Sequence, residues 1–175
     1  YRNFLFKIPI FKDLSLDVVE KIEQCIIRKE FTSSEVIFEE NTIGDLIYIV
    51  YTGEVEIYKN YKKPNEKLLT VLSEGDIFGE TSLFSKSERT ATAVAKSDVI
   101  LLGLKCEVFF NIFSSTPSEG VKIIQQLLFN TIQRLERTSK ELASIYTISQ
   151  VMVESVAQME DIKNFLIKVS SEIVN

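Results

Sequence analysis

The sequence predicts a mainly β protein with some α: an antiparallel β jelly-roll barrel, flanked by short N-terminal helices and followed by one long C-terminal helix. Three observations carry that reading. Between Cys25 and Leu104, short runs rich in branched and aromatic residues alternate with turn-forming stretches. From Val121 onward the apolar residues recur at helical spacing, with no further proline or glycine. The composition, 45% hydrophobic and 26% charged, is that of an ordinary globular protein. Closely spaced strands of this kind close into a sandwich or barrel, and a jelly roll limits the exposed edges.

Tyr1 to Phe11 is mostly apolar, and Pro9 closes a first helical turn. Ser15 is a helix cap, followed by Leu16, Val19 and Ile22 at helical spacing. The β-type runs are Cys25–Phe31, Glu35–Glu39, Leu46–Tyr51, Glu54–Asn60, Lys67–Leu72, Arg89–Ala95 and Asp98–Leu104. Turn signals separate them at Thr32 to Ser34, Asn41 to Asp45, Thr52-Gly53, Asn60 to Glu66 and Ser73 to Asp76. Alternation is clearest over Glu54–Tyr58, where Val55 and Ile57 face inward and Glu56 outward. Ala91, Ala93 and Ala95 share a strand face with Arg89, which either leaves space beside the arginine or marks tight sheet packing. Lys105–Phe113 reads as a short amphipathic helix.

Thr116-Pro117-Ser118-Glu119 is a helix start, with a threonine cap, proline at the first position and acid in the first turn. Leu128, Ile132, Leu135, Leu142 and Tyr146 then form one stripe. Farther on, Ile145, Ile148, Met152, Met159, Ile162, Leu166, Val169 and Ile173 follow alternating three- and four-residue steps, broken only by Ser155. A stripe this long needs a partner helix, so residues 117–175 are expected to form a parallel homodimer. The chain thus divides into a barrel domain over 1–115 and a dimerisation and signalling helix over 116–175, with a joint at Val156–Asp161.

Composition excludes several functions. A net charge of −5 and a pI near 5.0 argue against general affinity for DNA, RNA or anionic membranes. No apolar run approaches the roughly 18 residues of a membrane span, and nothing resembles a signal peptide. Starting at Tyr1, the chain reads as a fragment or a processed product. It has no histidine, so a histidine triad, general base or imidazole metal site is ruled out within these residues. Cys25 and Cys106 sit singly in apolar runs and read as buried core thiols, and no metal is expected. A reducing cytoplasm fits.

The stretch Gly75–Ala95 carries the chemistry. Gly79 can adopt a positive φ and lets a ligand approach the backbone. The turn from Glu80 to Phe84 would offer free N–H groups to an anion. Arg89 supplies a guanidinium fork suited to phosphate. A carboxylate beside such a site would be repelled unless it served another group, so Glu80 is assigned to a hydroxyl. An anion and a hydroxyl side by side describe a ribose phosphate.

In its setting the stretch resembles the phosphate-binding cassette of the cyclic nucleotide-binding domains, the family of the catabolite activator proteins, protein kinase A regulatory subunits and cyclic-nucleotide-gated channels. The resemblance covers about residues 10–140. It rests on Gly44-Asp45, Gly53, Gly75-Asp76, Phe78-Gly79-Glu80, Leu83, Arg89-Thr-Ala-Thr92 and Pro117. It implies that Arg89 pairs with the cyclic phosphate, together with the N–H groups around Thr81 and the Ser82 hydroxyl. Glu80 would take the ribose 2′-OH, and Gly79 would let its backbone meet the sugar. Thr90, beside Ala91, would reach phosphate or base, a feature that accompanies tolerance of cGMP in the family. Ile57, Leu69 and Val71 would form the apolar wall beside the base. Asn130, Arg134 or Thr138 would close over it from the long helix.

The implied ligand is cAMP or cGMP, and the implied function is a non-catalytic sensor relaying occupancy through a helix pair. The segment from Ala143 to Val156 resembles the signalling helix leading into GAF-type domains, and Asp161–Val174 is similar to the first helix of such a domain. Three alternatives stand beside it. One is a catabolite-activator-type regulator whose DNA-binding domain lies elsewhere. Another is an enzyme with its catalytic domain after residue 175. The last is a family member that binds no nucleotide.

Overall fold

The computed structural model describes residues 1–83 and 88–133. Two short helices open the chain, α1 (Arg2–Leu5) and α2 (Leu16–Gln24). The buried face of α2 is Val18, Val19 and Ile22, whereas Leu16 in the first turn is 52% exposed. Leu16 lies off that apolar face, so the expected stripe shifts from Leu16 to Val18. Ser15 precedes α2 with extended backbone, but its hydroxyl makes no cap bond.

Eight strands follow: β1 (Ile27–Phe31), β2 (Val36–Phe38), β3 (Leu46–Thr52), β4 (Val55–Lys59), β5 (Lys67–Leu72), β6 (Ile77–Phe78), β7 (Thr92–Ala95) and β8 (Val99–Lys105). They form two antiparallel four-stranded sheets, ordered β1-β8-β3-β6 and β2-β7-β4-β5. This is the jelly roll that the spacing of the runs predicts. All seven expected runs contain a strand: β5 matches its run end to end, β3 runs one residue further, β8 is shifted by one residue, the other four are trimmed, and β6 is an addition. The run expected from Arg89 begins only at Thr92. The Arg89 backbone bonds instead to the loop before β3, with its N–H on the Thr42 carbonyl and its carbonyl on the Asn41 N–H, each at 2.8 Å.

Burial explains the two kinds of strand. Ile47, Ile49, Leu102 and Leu104 pack with the helices, while Tyr48, Val50, Val99 and Leu101 pack between the sheets. Strands β3 and β8 are therefore covered on both faces and read as continuous apolar runs. Ala93 and Ala95 lie in the core between the sheets, so for these two the tight-packing reading holds.

The helix α3 (Cys106–Ser115) buries Cys106, Phe109 and Ile112. Cys25, by contrast, is exposed, because it sits at the C-terminal cap of α2 and off its buried face. Residues 117–133 form the next helix, α4. The chain divides into two compact units, Tyr1–Leu127 and Leu128–Asn175. In the first, Ile123 and Leu127 of α4 join the helical core. In the second, Leu128, Phe129 and Ile132 are exposed. The expectations for the helical stripe from Leu135, the joint at Val156–Asp161 and the GAF-like run lie outside the described residues. No helix among the described residues is long and apolar enough to cross a membrane.

Candidate functional site

The site is built where β6 ends against β3. Tyr48 pairs with Phe78 and Ile49 with Ile77, which delivers the chain to Gly79 beside the Leu46 carbonyl. Gly79 has φ +76° and is followed by a single 3-10 turn, Glu80–Leu83. A side chain would be strained at that φ, and a Cβ there would stand 2.5 Å from Arg89 Nη1. Gly44 meets the same guanidinium from the other side, with its notional Cβ 2.5 Å from Nε and Nη2. Both glycines are needed because the arginine fills the space a side chain would take.

Arg89 is only 3% exposed. Its Nη1 donates to the Gly79 carbonyl at 3.1 Å and its Nη2 to the Leu46 carbonyl at 2.7 Å. The guanidinium lies over the Phe38 ring, 4.2 Å from its centroid, and 5.9 Å from that of Tyr48. Phe38, Tyr48 and Phe78 pack on one another, with centroids 5.4–6.1 Å apart. Burial lowers the proton affinity of Arg89, while Tyr48, Cys106, Asp45 and Glu80 act in the opposite direction. Burial likewise raises the Tyr48 phenol and the Cys106 thiol, opposed in each case by Arg89. A positive charge is thus held inside the protein at the mouth of a turn that begins with a carboxylate. Such an arrangement suits an anion carrying a neighbouring hydroxyl.

The structure brings Phe78, Gly79, Glu80 and Arg89 together, with Thr81 half-buried and Ser82 in the same 3-10 turn. Thr90 is exposed and Ala91 is buried, both ahead of β7. The proposed wall separates by register. Ile57 pairs with Thr70 and Glu56 with Val71, so Val71 lies on the sheet face opposite to Ile57. Leu69 occupies the irregularity between the Ile57–Thr70 and Tyr58–Leu68 pairs and is 45% exposed. Asn130 is half-buried within the second unit, and Arg134 and Thr138 lie outside the described residues. Sequence reasoning missed Phe38 and Tyr48 as neighbours of the guanidinium. Aromatic residues inside strands carry no signal that separates core from site.

The sequence pattern of the cyclic nucleotide-binding domain matches residues 28–116, from β1 through α3. The chain belongs to that family. This cyclic nucleotide-binding domain is 27% identical over 143 residues to the CRP-like cAMP-activated global transcriptional regulator of Mycobacterium tuberculosis, covering 82% of this chain and 62% of that protein. It thus spans less than two thirds of that relative's length. Among solved structures it is similar to the Thermus thermophilus catabolite activator protein, at 28% identity and TM-score 0.64, over 78% of this chain and 62% of the other. It is also similar to the regulatory domain of Toxoplasma gondii PKA solved with cAMP, at 26% identity and TM-score 0.58, over 63% and 42% of the two chains.

Proposed function

We propose that this domain binds a cyclic nucleoside monophosphate at the Gly79–Arg89 cassette and relays occupancy through the helix after Thr116 to an output domain. The observation that carries the reading is the buried Arg89, framed by two glycines and aimed at the 3-10 turn that starts with Glu80. Arg89 would take the cyclic phosphate, with the N–H groups near Thr81 and the Ser82 hydroxyl. Glu80 would take the ribose 2′-OH. Ile57 would contribute to the wall beside the base, with Leu69 at its margin, and Asn130 or Arg134 would close over the base from the helix.

The relatives named for cAMP support cAMP as the first ligand to test. Thr90 keeps cGMP as the second. The site performs no bond-making step in this scheme. Its output is a shift between two poses of the helix, limited by the ligand's differential affinity for them. Two copies joined through 117–175 would carry that shift onward. The similarity to a transcription regulator gives a second reading of the output, a DNA-binding domain in place of a signalling one.

Titration calorimetry with cAMP and cGMP tests the binding reading. A charge-assisted hydrogen bond contributes about 1.5–3 kcal/mol, so Arg89→Ala should weaken binding by about one to two decades. Glu80→Gln should weaken it less and spare a 2′-deoxy analogue. Wild-type affinity retained in Arg89→Ala would refute the phosphate assignment.

A further inference from the structure

The exit of the cassette is tied to the barrel by a side-chain clamp that none of the ligand roles uses. Lys59, the last residue of β4, donates from Nζ to the Thr90 carbonyl at 3.0 Å, one residue beyond Arg89. The same ammonium is ion-paired with Glu40, whose side chain is only 10% exposed. The other Glu40 oxygen accepts the Asn60 N–H at 2.9 Å, where the chain turns left-handed at φ 55°. The Glu40 N–H itself donates to Thr92 Oγ1 at 3.0 Å, at the start of β7. One acid–base pair therefore joins the loop after β2, the end of β4 and the segment leaving the cassette.

That segment needs such a tie. Residues 89–91 precede β7, so the ladder bonds of β7 do not fix them. Arg89 is held by its backbone exchange with Asn41 and Thr42, and the clamp fixes the adjoining peptides. A turn of the Thr90 carbonyl would break the Lys59 contact and disturb the backbone angles that send the Arg89 side chain inward.

We propose that Lys59, seated on Glu40, is a positioning residue that locks the Arg89–Thr90 backbone and keeps the buried guanidinium aimed into the cassette. Its effect on affinity rests on the reading of Arg89 as the phosphate-binding residue.

Lys59→Met keeps the aliphatic stem and removes the ammonium, and Lys59→Arg restores a donor. Two readouts are taken: cAMP affinity by calorimetry, and the Arg89 Nε–H resonance in ligand-free protein, identified by its loss in Arg89→Lys. Expected for Lys59→Met are a cooperatively folded protein with a lowered thermal midpoint, about fivefold weaker cAMP binding and a displaced or broadened resonance. Lys59→Arg should recover both. Unchanged affinity together with an unmoved resonance in Lys59→Met overturns the proposal. Should the wild type bind no cyclic nucleotide, the binding reading fails, and the ligand-free resonance alone decides the clamp: displacement supports it and constancy overturns it.

Discussion

Gly44, Gly75 and Gly79 make different demands on the chain, and three alanine substitutions separate them. Gly75 needs only its left-handed backbone, at φ +87° with open space around it. Gly44 needs only the missing Cβ, because Arg89 occupies that space. Gly79 needs both. Gly75→Ala should cost about 1–2 kcal/mol in denaturation and leave cyclic nucleotide affinity alone. Gly44→Ala should displace the guanidinium and weaken binding about tenfold, and Gly79→Ala should combine the losses. Equal affinities for Gly44→Ala and Gly75→Ala would discredit the steric account. Tyr58 offers a second check at this scale. Its hydroxyl donates to Glu56 Oε2 at 2.8 Å, and chiefly that bond pushes its pKa up to about 12. The raised value means the bond's contribution is complete below about pH 10, the ordinary tyrosine value, and is lost as pH rises through about 12. In an ultraviolet tyrosinate titration two of the six tyrosines, Tyr48 and Tyr58, should ionise late, and Glu56→Gln should bring Tyr58 alone back toward the others. Arg89, Gly79 and Glu80 could be singled out in the sequence by residue type and spacing, and the fold brings them together at one turn. Lys59 and Glu40 could not, since charged residues are common at surfaces and only the fold shows which ones meet across 19 positions, from 40 to 59.

Among the elements, strands with a turn signal on each side could be read directly, and two features could not. The strand β6 is two residues long, too short for any alternation to register. The bulge between β4 and β5 is the other. It moves the pairing by one residue, and a one-residue change reverses the face a side chain occupies. That is why Thr70, and not Val71, shares a face with Ile57. The corner between α3 and α4 gives a prediction of its own. A Cβ on Gly120 would stand 2.7 Å from Phe113 Cδ1 and 3.0 Å from its Cα. Alanine in a helix gains about 1 kcal/mol over glycine, whereas crowding a packed contact costs about 1–3 kcal/mol. The backbone atom cannot swing aside, so Gly120→Ala should destabilise on balance. A raised denaturation midpoint would show that the corner yields.

Over the whole molecule, a bound anion would act on stability as well as on pose. A ligand that binds only the folded state stabilises by about 2.7 kcal/mol at a hundred times its Kd. A thermal scan with saturating cAMP or cGMP should therefore raise the midpoint for wild type, and raise it clearly less for Arg89→Ala at the same concentration. No shift with either nucleotide would favour a family member that keeps the fold without the ligand. One strand gives this coupling its route. From β3, the Leu46 carbonyl holds Arg89 Nη2 and the Tyr48 ring lies near the guanidinium, while Ile47 and Ile49 reach the other way into the helical core. The partition between the guanidinium and the helical core is thus a single backbone thick. A sideways movement of a few tenths of an ångström at Leu46 cannot be absorbed by intervening layers, because there are none. It must reappear on the far side as a change in the seat that Phe109, Ile123 and Leu127 share with Ile47 and Ile49.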